Sequence, residues 1–128
     1  MRMKLRNVVE LNNLLKSIID NKDLKIDPLL KFKLLGVMKS IETPITNFEV
    51  IRNEKIYEYG EEIEKEDGTK LFGIDEKDKE TVEKFMNEIN KVLDVDVDVT
   101  IQKLNATEIF DKGLPSEYIL GLYAIIDK

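Results

Sequence analysis

Residues 27–60, DPLLKFKLLGVMKSIETPITNFEVIRNEKIYEYG, decide the fold. The stretch opens with Asp27, whose side chain can cap a helix, and Pro28, which suits the first helical position. It ends at Gly60, because glycine readily adopts the left-handed conformation that terminates helices. Apolar residues recur at helical spacing between these ends: Leu30, Leu34, Val37, Met38, Ile41, Ile45, Phe48, Ile51 and Ile56. A single helix would extend for about 48 Å, so we expect part of it to project from the body or to pack on a partner.

Pro44 interrupts this pattern and leaves two interpretations open. A proline removes one helical hydrogen bond and clashes with the preceding turn, and it disfavours helical dihedral angles at Thr43. Either one long helix is kinked near Thr43, or two helices, over residues 28–41 and 45–59, meet there. The apolar stripe keeps its phase across the proline, which argues against a wide turn.

A first helix precedes this segment. Asn7 and Glu10 have the spacing of a capping box, and an apolar stripe predicts a helix over residues 8–19. With a turn at 20–23, this helix and the first half of the central segment should form an antiparallel helical hairpin. Residues 4–6 are predicted to form a short strand or an extended arm.

The second half of the chain mixes strands and helices. Asp67-Gly68 predicts a tight β-hairpin turn, and an apolar stripe predicts a helix over residues 79–93. Valine and isoleucine alternate with polar residues over 95–101, which predicts a strand with one buried face. Its predicted partners are residues 4–6 and the strands of the β-hairpin.

The C-terminal part is predicted to close the core. Asn105 should start a short helical turn that Gly113 ends, and Pro115 should start the last helix. The apolar face of this helix is predicted to hold Tyr118, Ile119, Leu122, Tyr123 and Ile126. The expected fold is α+β and mostly helical: a helical hairpin with a long central helix and a small antiparallel sheet, in a single domain of residues 1–128.

Composition narrows the classes of function. The formal net charge of −6 argues against sequence-independent binding to nucleic acid and against an anionic membrane surface. The chain has no cysteine, hence no thiolate metal site, and no histidine, which is the commonest acid–base group and transition-metal ligand. Neither an apolar run long enough to span a bilayer nor a signal peptide is evident.

The best candidate for a metal site is Asp94, Asp96 and Asp98. An EF-hand loop that starts at Asp94 requires glycine at its sixth position and an acidic residue at its twelfth, where this chain has Val99 and Asn105. We therefore expect these carboxylates to lie on a solvated strand face. No catalytic, metal or cofactor site is predicted, and we do not expect an enzyme.

Candidate partner-binding residues lie at the end of the central segment and just after it. The acidic run 58–67 is typical of a helix end and a solvated loop, but it could also mimic nucleic-acid phosphates. The tyrosines could be interface anchors or edges of the core. The candidate set is Phe48, Arg52, Tyr57, Tyr59, Glu61, Glu62 and Glu64.

The order of these features resembles a family of small uncharacterised proteins encoded by phages and prophages of Gram-positive bacteria. The residues that carry the resemblance are Lys4-Leu5, Asn7, Glu10-Leu11-Asn12, Leu15, Lys31-Phe32-Lys33-Leu34, Ile41-Glu42, Phe48, Arg52, Ile56, Tyr59-Gly60-Glu61, Glu66-Asp67-Gly68, Phe85, Glu88-Ile89-Asn90, Val97-Asp98-Val99 and Leu122. Pro44 departs from the uninterrupted helix expected for that family. The resemblance implies a phage context and carries over no catalytic residue.

Two functions are expected from these observations. The first is a non-enzymatic phage or prophage protein that acts through protein–protein interaction, as a virion component, an assembly factor or a chaperone, with itself or another phage protein as its partner. The alternative is an acidic inhibitor of a host nuclease or defence system. The expected location is the cytoplasm of the bacterial host cell or the virion, with no membrane, nucleic-acid or cofactor partner.

Overall fold

A computed structural model describes residues 1–127 and contains two compact units. The first unit comprises Met1–Ile45 and the chain from Asp96 onward, and the second comprises Thr46–Val95. The predicted α+β, mostly helical fold is confirmed. The single domain remains a prediction.

The first unit combines helices with two pairs of short strands. In chain order it holds β1 (Arg2–Lys4), α1 (Leu5–Asp20), α2 (Pro28–Ser40), the start of α3 (Glu42–Tyr59), β4 (Asp96–Asp98), β5 (Leu104–Asn105), α5 (Ala106–Ile109), α6 (Ser116–Gly121), a 3-10 turn (Tyr123–Ile125) and β6 (Ile126–Asp127). The second unit holds the rest of α3, a β-hairpin of β2 (Glu61–Glu64) and β3 (Lys70–Gly73), and α4 (Lys79–Leu93).

Helices α1 and α2 contact each other and form the predicted helical hairpin. The apolar stripes of the two helices supply much of the core of the first unit: Leu5, Val8, Leu11, Leu15 and Ile18 from α1, and Leu30, Leu34 and Val37 from α2. Helix α1 begins at Leu5 rather than at residue 8, so Asn7 and Glu10 lie inside the helix and do not cap it. The predicted first residue of α1 lies too far along the chain, because the buried apolar stripe already begins at Leu5.

Asp27 caps α2 as predicted. Its carboxylate accepts hydrogen bonds from the backbone N–H groups of Leu29 (3.2 Å) and Leu30 (3.3 Å), and Pro28 occupies the first helical turn. Helix α2 ends at Ser40, and α3 begins at Glu42.

The structure therefore contains two helices, as in the second interpretation of Pro44. The break lies at Ile41, and Pro44 occupies the first turn of α3. There the missing N–H removes no hydrogen bond, since the first four N–H groups of a helix have no partner within it. Ile41 bridges the two helices: its N–H donates to Val37 and its carbonyl accepts from Ile45, both at 3.3 Å.

Strand β4 pairs antiparallel with β1, with Met3 opposite Val97. This strand is shorter than the predicted 95–101, because Val95 is exposed and precedes the paired segment, although Val99 is buried. In the described residues, β2 and β3 pair with each other and not with β4, so that part of the strand prediction is wrong.

The C-terminal part contains a parallel pair that the sequence analysis did not predict, with Leu104 opposite Ile126. The last helix is also shorter than expected and continues into a 3-10 turn. Leu122 and Ile126 are buried as predicted, whereas Tyr123 is exposed. A six-residue helix is too short to define an apolar face by periodicity, which explains this error.

A close approach of two backbone segments holds the C-terminal part against the α1–α2 connection. The N–H of Asp27 donates to the carbonyl of Lys112 at 2.9 Å. Gly113 follows with a φ of +87°, and a Cβ atom there would collide with the carbonyl oxygen of Lys25. Glycine is required at this position for both reasons.

We expect Gly113→Ala to lower the free energy of unfolding by about 2 kcal/mol or more, since the left-handed conformation alone costs about 1–2 kcal/mol and the collision adds to it. Gly36→Ala is the matched control: it lies inside α2, where a Cβ meets nothing within 4 Å. This control should stabilise the chain by up to about 1 kcal/mol. Urea unfolding followed by circular dichroism measures both, and equal stabilities of Gly113→Ala and wild type would contradict the packing described.

Candidate protein-binding surface

An exposed pair of aromatic rings marks the second unit. The rings of Tyr57, on α3, and Phe72, on β3, lie with their centroids 5.6 Å apart and their planes inclined by 32°. Tyr57 is 79% exposed and Phe72 is 54% exposed. The contact fixes both rings on the surface, and we call them, together with Glu62, Glu64 and Lys70, the aromatic patch.

The register of the β-hairpin decides which charges accompany the rings. Glu62 lies opposite Phe72, and Glu64 lies opposite Lys70. Side chains alternate between the two faces of a strand, so these four side chains share one face. The Lys70 ammonium is 3.7 Å from a Glu62 carboxylate oxygen across that face.

The tight turn of the hairpin forms as the sequence predicted. The N–H of Lys65 donates to the carbonyl of Thr69 at 2.8 Å, and Gly68 has a φ of +84°. The Asp67 carboxylate accepts from the N–H of Thr69 at 2.9 Å. This hydrogen bond lowers the pKa of Asp67, because it favours the charged form.

Gly60 brings the hairpin close to the end of α3. A Cβ atom there would collide with the carbonyl oxygen of Ile56, and it would lie 2.8 Å from a ring carbon of Phe72. The bare backbone at this position therefore allows Phe72 to approach α3, where Tyr57 lies.

Lys55 links α3 to α4 within the second unit. Its ammonium is 2.9 Å from Glu58 and 3.2 Å from Glu88. Hydrogen bonds to Glu58 and then to Glu88 raise the pKa of Lys55. Glu58 belongs to the acidic run, and its negative charge is thus partly neutralised by Lys55.

The predicted partner-binding residues do not form one surface. Phe48, Arg52 and Tyr59 recur at spacings of four and seven residues, which places them on one side of α3, whereas Tyr57 faces the opposite side. Phe48 is buried, Tyr59 is half-buried and Arg52 is exposed.

The acidic members of that set are also divided. Glu61 lies opposite Gly73 on the other face of the hairpin from Glu62 and Glu64. Sequence analysis missed Phe72 as a surface residue. A two-residue Asp-Gly loop predicts a register in which Phe72 lies opposite Ile63, on the other face of the hairpin from Glu62. In the structure Lys65 pairs with Thr69, so the loop is one residue longer and Phe72 lies on the face of Glu62.

A second surface feature lies in the first unit, between α2 and the β5–α5 segment. It is a cleft of about 330 Å³ whose lining includes Phe32, Lys33, Lys103 and Glu108. The Lys33 ammonium is 2.9 Å from the Glu108 carboxylate, and this hydrogen bond lowers the pKa of Glu108. The pair connects α2 to α5.

Searches against protein-family models, curated proteins and solved structures found no match to this chain. Within residues 1–127, no group of three or more histidine, cysteine, aspartate or glutamate side chains is arranged to hold a metal ion. In the same range, no helix combines the length and apolar content needed to cross a membrane.

We expect Gly60→Ala to separate Phe72 from Tyr57 and to lower the free energy of unfolding by about 1–3 kcal/mol, the usual cost of overpacking. Gly73→Ala is the control on the same hairpin, since a Cβ there meets nothing within 4 Å. Ring-proton chemical shifts and nuclear Overhauser effects between the two rings report the contact. An unchanged contact in Gly60→Ala would refute the role of the glycine.

The Lys33–Glu108 pair predicts a pH dependence. Because the pKa of Glu108 is lowered in the folded chain, its stabilisation is present above the ordinary carboxyl pKa and is lost as pH falls through the folded value. Glu108→Gln should therefore destabilise the chain more at neutral pH than in acid, measured by urea unfolding at both. Glu76→Gln, on an exposed loop, should show no such difference. A Glu108→Gln effect independent of pH would contradict the pairing.

Proposed function

We propose that this chain is a non-enzymatic protein of a phage or prophage, which acts by binding another protein as a virion component, an assembly factor or a chaperone. The observation that supports binding is the aromatic patch, where two rings in mutual contact are exposed to solvent. The phage context rests on the resemblance of the sequence.

Tyr57 and Phe72 have the properties of interface anchors. Aromatic side chains are enriched in protein interfaces, and tyrosine is frequent among the residues that dominate binding energy. Because the ring of each residue packs on that of the other, less side-chain entropy remains to be lost when a partner covers them.

The two rings supply only part of the free energy of binding. Large aromatic side chains bury about 150–250 Å² each, and burial contributes about 25 cal/mol per Å². Covering the exposed fractions of both rings would therefore contribute about 5–8 kcal/mol. Association costs about 4–15 kcal/mol, so a partner must also contact neighbouring surface on the same face of the hairpin, such as Glu64 and Lys70.

The charges around the patch favour a protein interface over phosphate mimicry. Glu62 lies near Lys70, and Glu58 is paired with Lys55. Glu61 points to the opposite face of the hairpin from Glu62. Since the carboxylates are divided between faces and partly neutralised, they offer no continuous anionic strip like a nucleic-acid backbone.

The test is affinity capture by the full chain from bacterial cells in which the related phage or prophage is active. We expect wild type to retain a stoichiometric phage protein, and Tyr57→Ser to reduce its affinity at least about tenfold, as for an interface anchor. Val95→Ser, at an exposed apolar residue that follows α4 and belongs neither to α3 nor to the hairpin, is the control and should bind like wild type.

Three outcomes would count against the proposal. A partner retained equally by wild type and Tyr57→Ser would exclude the patch as its binding surface. Retention of a basic host nuclease or defence protein, lost on charge reversal of Glu61, Glu62 and Glu64, would favour the inhibitor. A chain that retains no phage protein would contradict the interaction itself.

A further inference from the structure

A large apolar concavity lies in the C-terminal part of the first unit. It has a volume of about 740 Å³, within the range of about 300–1,000 Å³ for sites that bind small molecules. Its lining includes Phe110, Leu114, Leu120, Tyr123 and Ile126. We call this concavity the C-terminal bowl.

The bowl combines buried aliphatic side chains with exposed apolar ones. Leu114 and Ile126 are buried, whereas Phe110, Leu120 and Tyr123 are each more than half exposed. Burying such side chains under an apolar ligand is favourable, because it removes apolar surface from water. Exposed apolar side chains that gather around one concavity therefore indicate a ligand site, whereas the same side chains scattered singly would not.

One charged residue, Asp111, lines the bowl among the described residues. Within residues 1–127 its carboxylate takes part in no hydrogen bond or ion pair. Lys112, the next residue, instead lines a separate small cavity together with Asp27 and Glu108. The apolar lining thus contains a carboxylate whose charge no lysine or arginine of that range neutralises.

The backbone holds Asp111 in place. It is the one non-glycine residue of the described chain with a positive φ, +62°, and aspartate and asparagine tolerate this conformation better than most residues do. The Lys112 carbonyl accepts from the N–H of Asp27 at 2.9 Å, and Gly113 lies against the Lys25 carbonyl. A loop anchored in this way has little conformational entropy left to lose when a ligand binds. Unusual backbone conformations of this kind cluster at ligand sites.

We propose that the C-terminal bowl binds a small organic cation, an ammonium group on an apolar body. The apolar body covers Leu114 and Ile126, and the ammonium group lies beside Asp111. Phe110 and Tyr123 suit the same charge, because the faces of aromatic rings attract cations.

The charge of the lining distinguishes this cation from other apolar ligands. An anion such as a fatty acid would meet the Asp111 carboxylate, with no lysine or arginine of the described lining to pair with. A neutral ligand would take water from the carboxylate without replacing its hydrogen bonds, which is unfavourable. Glu117 and Asp127 are exposed and directly follow lining residues in the chain, so they add to a negative potential that attracts cations.

The test compares four probes with the full chain by isothermal titration calorimetry at neutral pH, each below the concentration at which it forms micelles. Octylamine, octanol and octanoate share one chain length and differ in charge, and butylamine has the ammonium group and the length of a lysine side chain. Octylamine should bind at least about tenfold more tightly than octanol, and octanoate should bind more weakly than either. Butylamine should bind at least about tenfold more weakly than octylamine, since each buried CH₂ group adds affinity.

Two variants separate the charge from the apolar lining. Asp111→Asn removes the charge and keeps a residue that tolerates a positive φ, so it should abolish the preference for octylamine over octanol and leave octanol binding unchanged. Leu120→Ser, at an exposed position, should weaken octylamine and octanol binding alike, by about threefold or more. Asp23→Asn, in the exposed turn after α1, makes the same change in net charge and should bind every probe like wild type.

Several results would overturn the inference. An absence of octylamine binding excludes it, as does tighter binding of octanol or octanoate. A preference for octylamine that survives in Asp111→Asn would place the cation elsewhere on this acidic chain. Equal binding of butylamine and octylamine would show that the apolar lining is not used, and would favour a lysine side chain of a partner protein as the occupant. The bowl belongs to the first unit and the aromatic patch to the second, so binding at each can fail without the other.

Discussion

The packing of α2 against α1 is the interaction on which the rest of the first unit depends. The buried side chains of both helices are aliphatic, and no polar or charged residue of the described chain is buried with them. Aliphatic contacts are non-directional, so they favour association of the helices without fixing its details. The details come from backbone features: the Asp27 cap, the break at Ile41 and the close approach at Gly113. The Asp27 cap determines where α2 begins, and the break at Ile41 determines where it ends. The close approach at Gly113 determines which segment lies against the chain just before α2.

The sequence predicted most reliably the elements that carry a long repeating pattern or a specific turn. Helix α4 has the predicted bounds, 79–93, because about four turns of a clear apolar stripe define it. The Asp-Gly turn was found because few turn types connect two strands over so short a loop. The parallel pairing of β5 and β6 has no such local signal, since two-residue strands show no alternation and their partner lies far along the chain.

The aromatic patch was only partly predictable, because it too depends on a contact between residues that are distant in the chain. Tyr57 was identified from its residue type, but its neighbour Phe72 depends on the hairpin register and on Gly60. The two apolar sides of α2 could be separated from the sequence. The predicted stripe includes Leu30, Leu34 and Val37, which are buried, and leaves out Leu29, Phe32 and Leu35, which are exposed.

Gly36 lies near the exposed apolar residues Phe32 and Leu35, at an exposed position in the middle of α2. Among residues 1–127 nothing lies within 4 Å of a Cβ atom placed there, and alanine would favour the helix by up to about 1 kcal/mol. The helix thus carries a residue that lowers its own stability and leaves a strip of bare backbone facing solvent. A notch of this kind allows another chain to approach more closely than any side chain would permit. Alanine at this position would strengthen the helix and fill the notch, so the glycine keeps the surface of α2 open at a cost in helix stability.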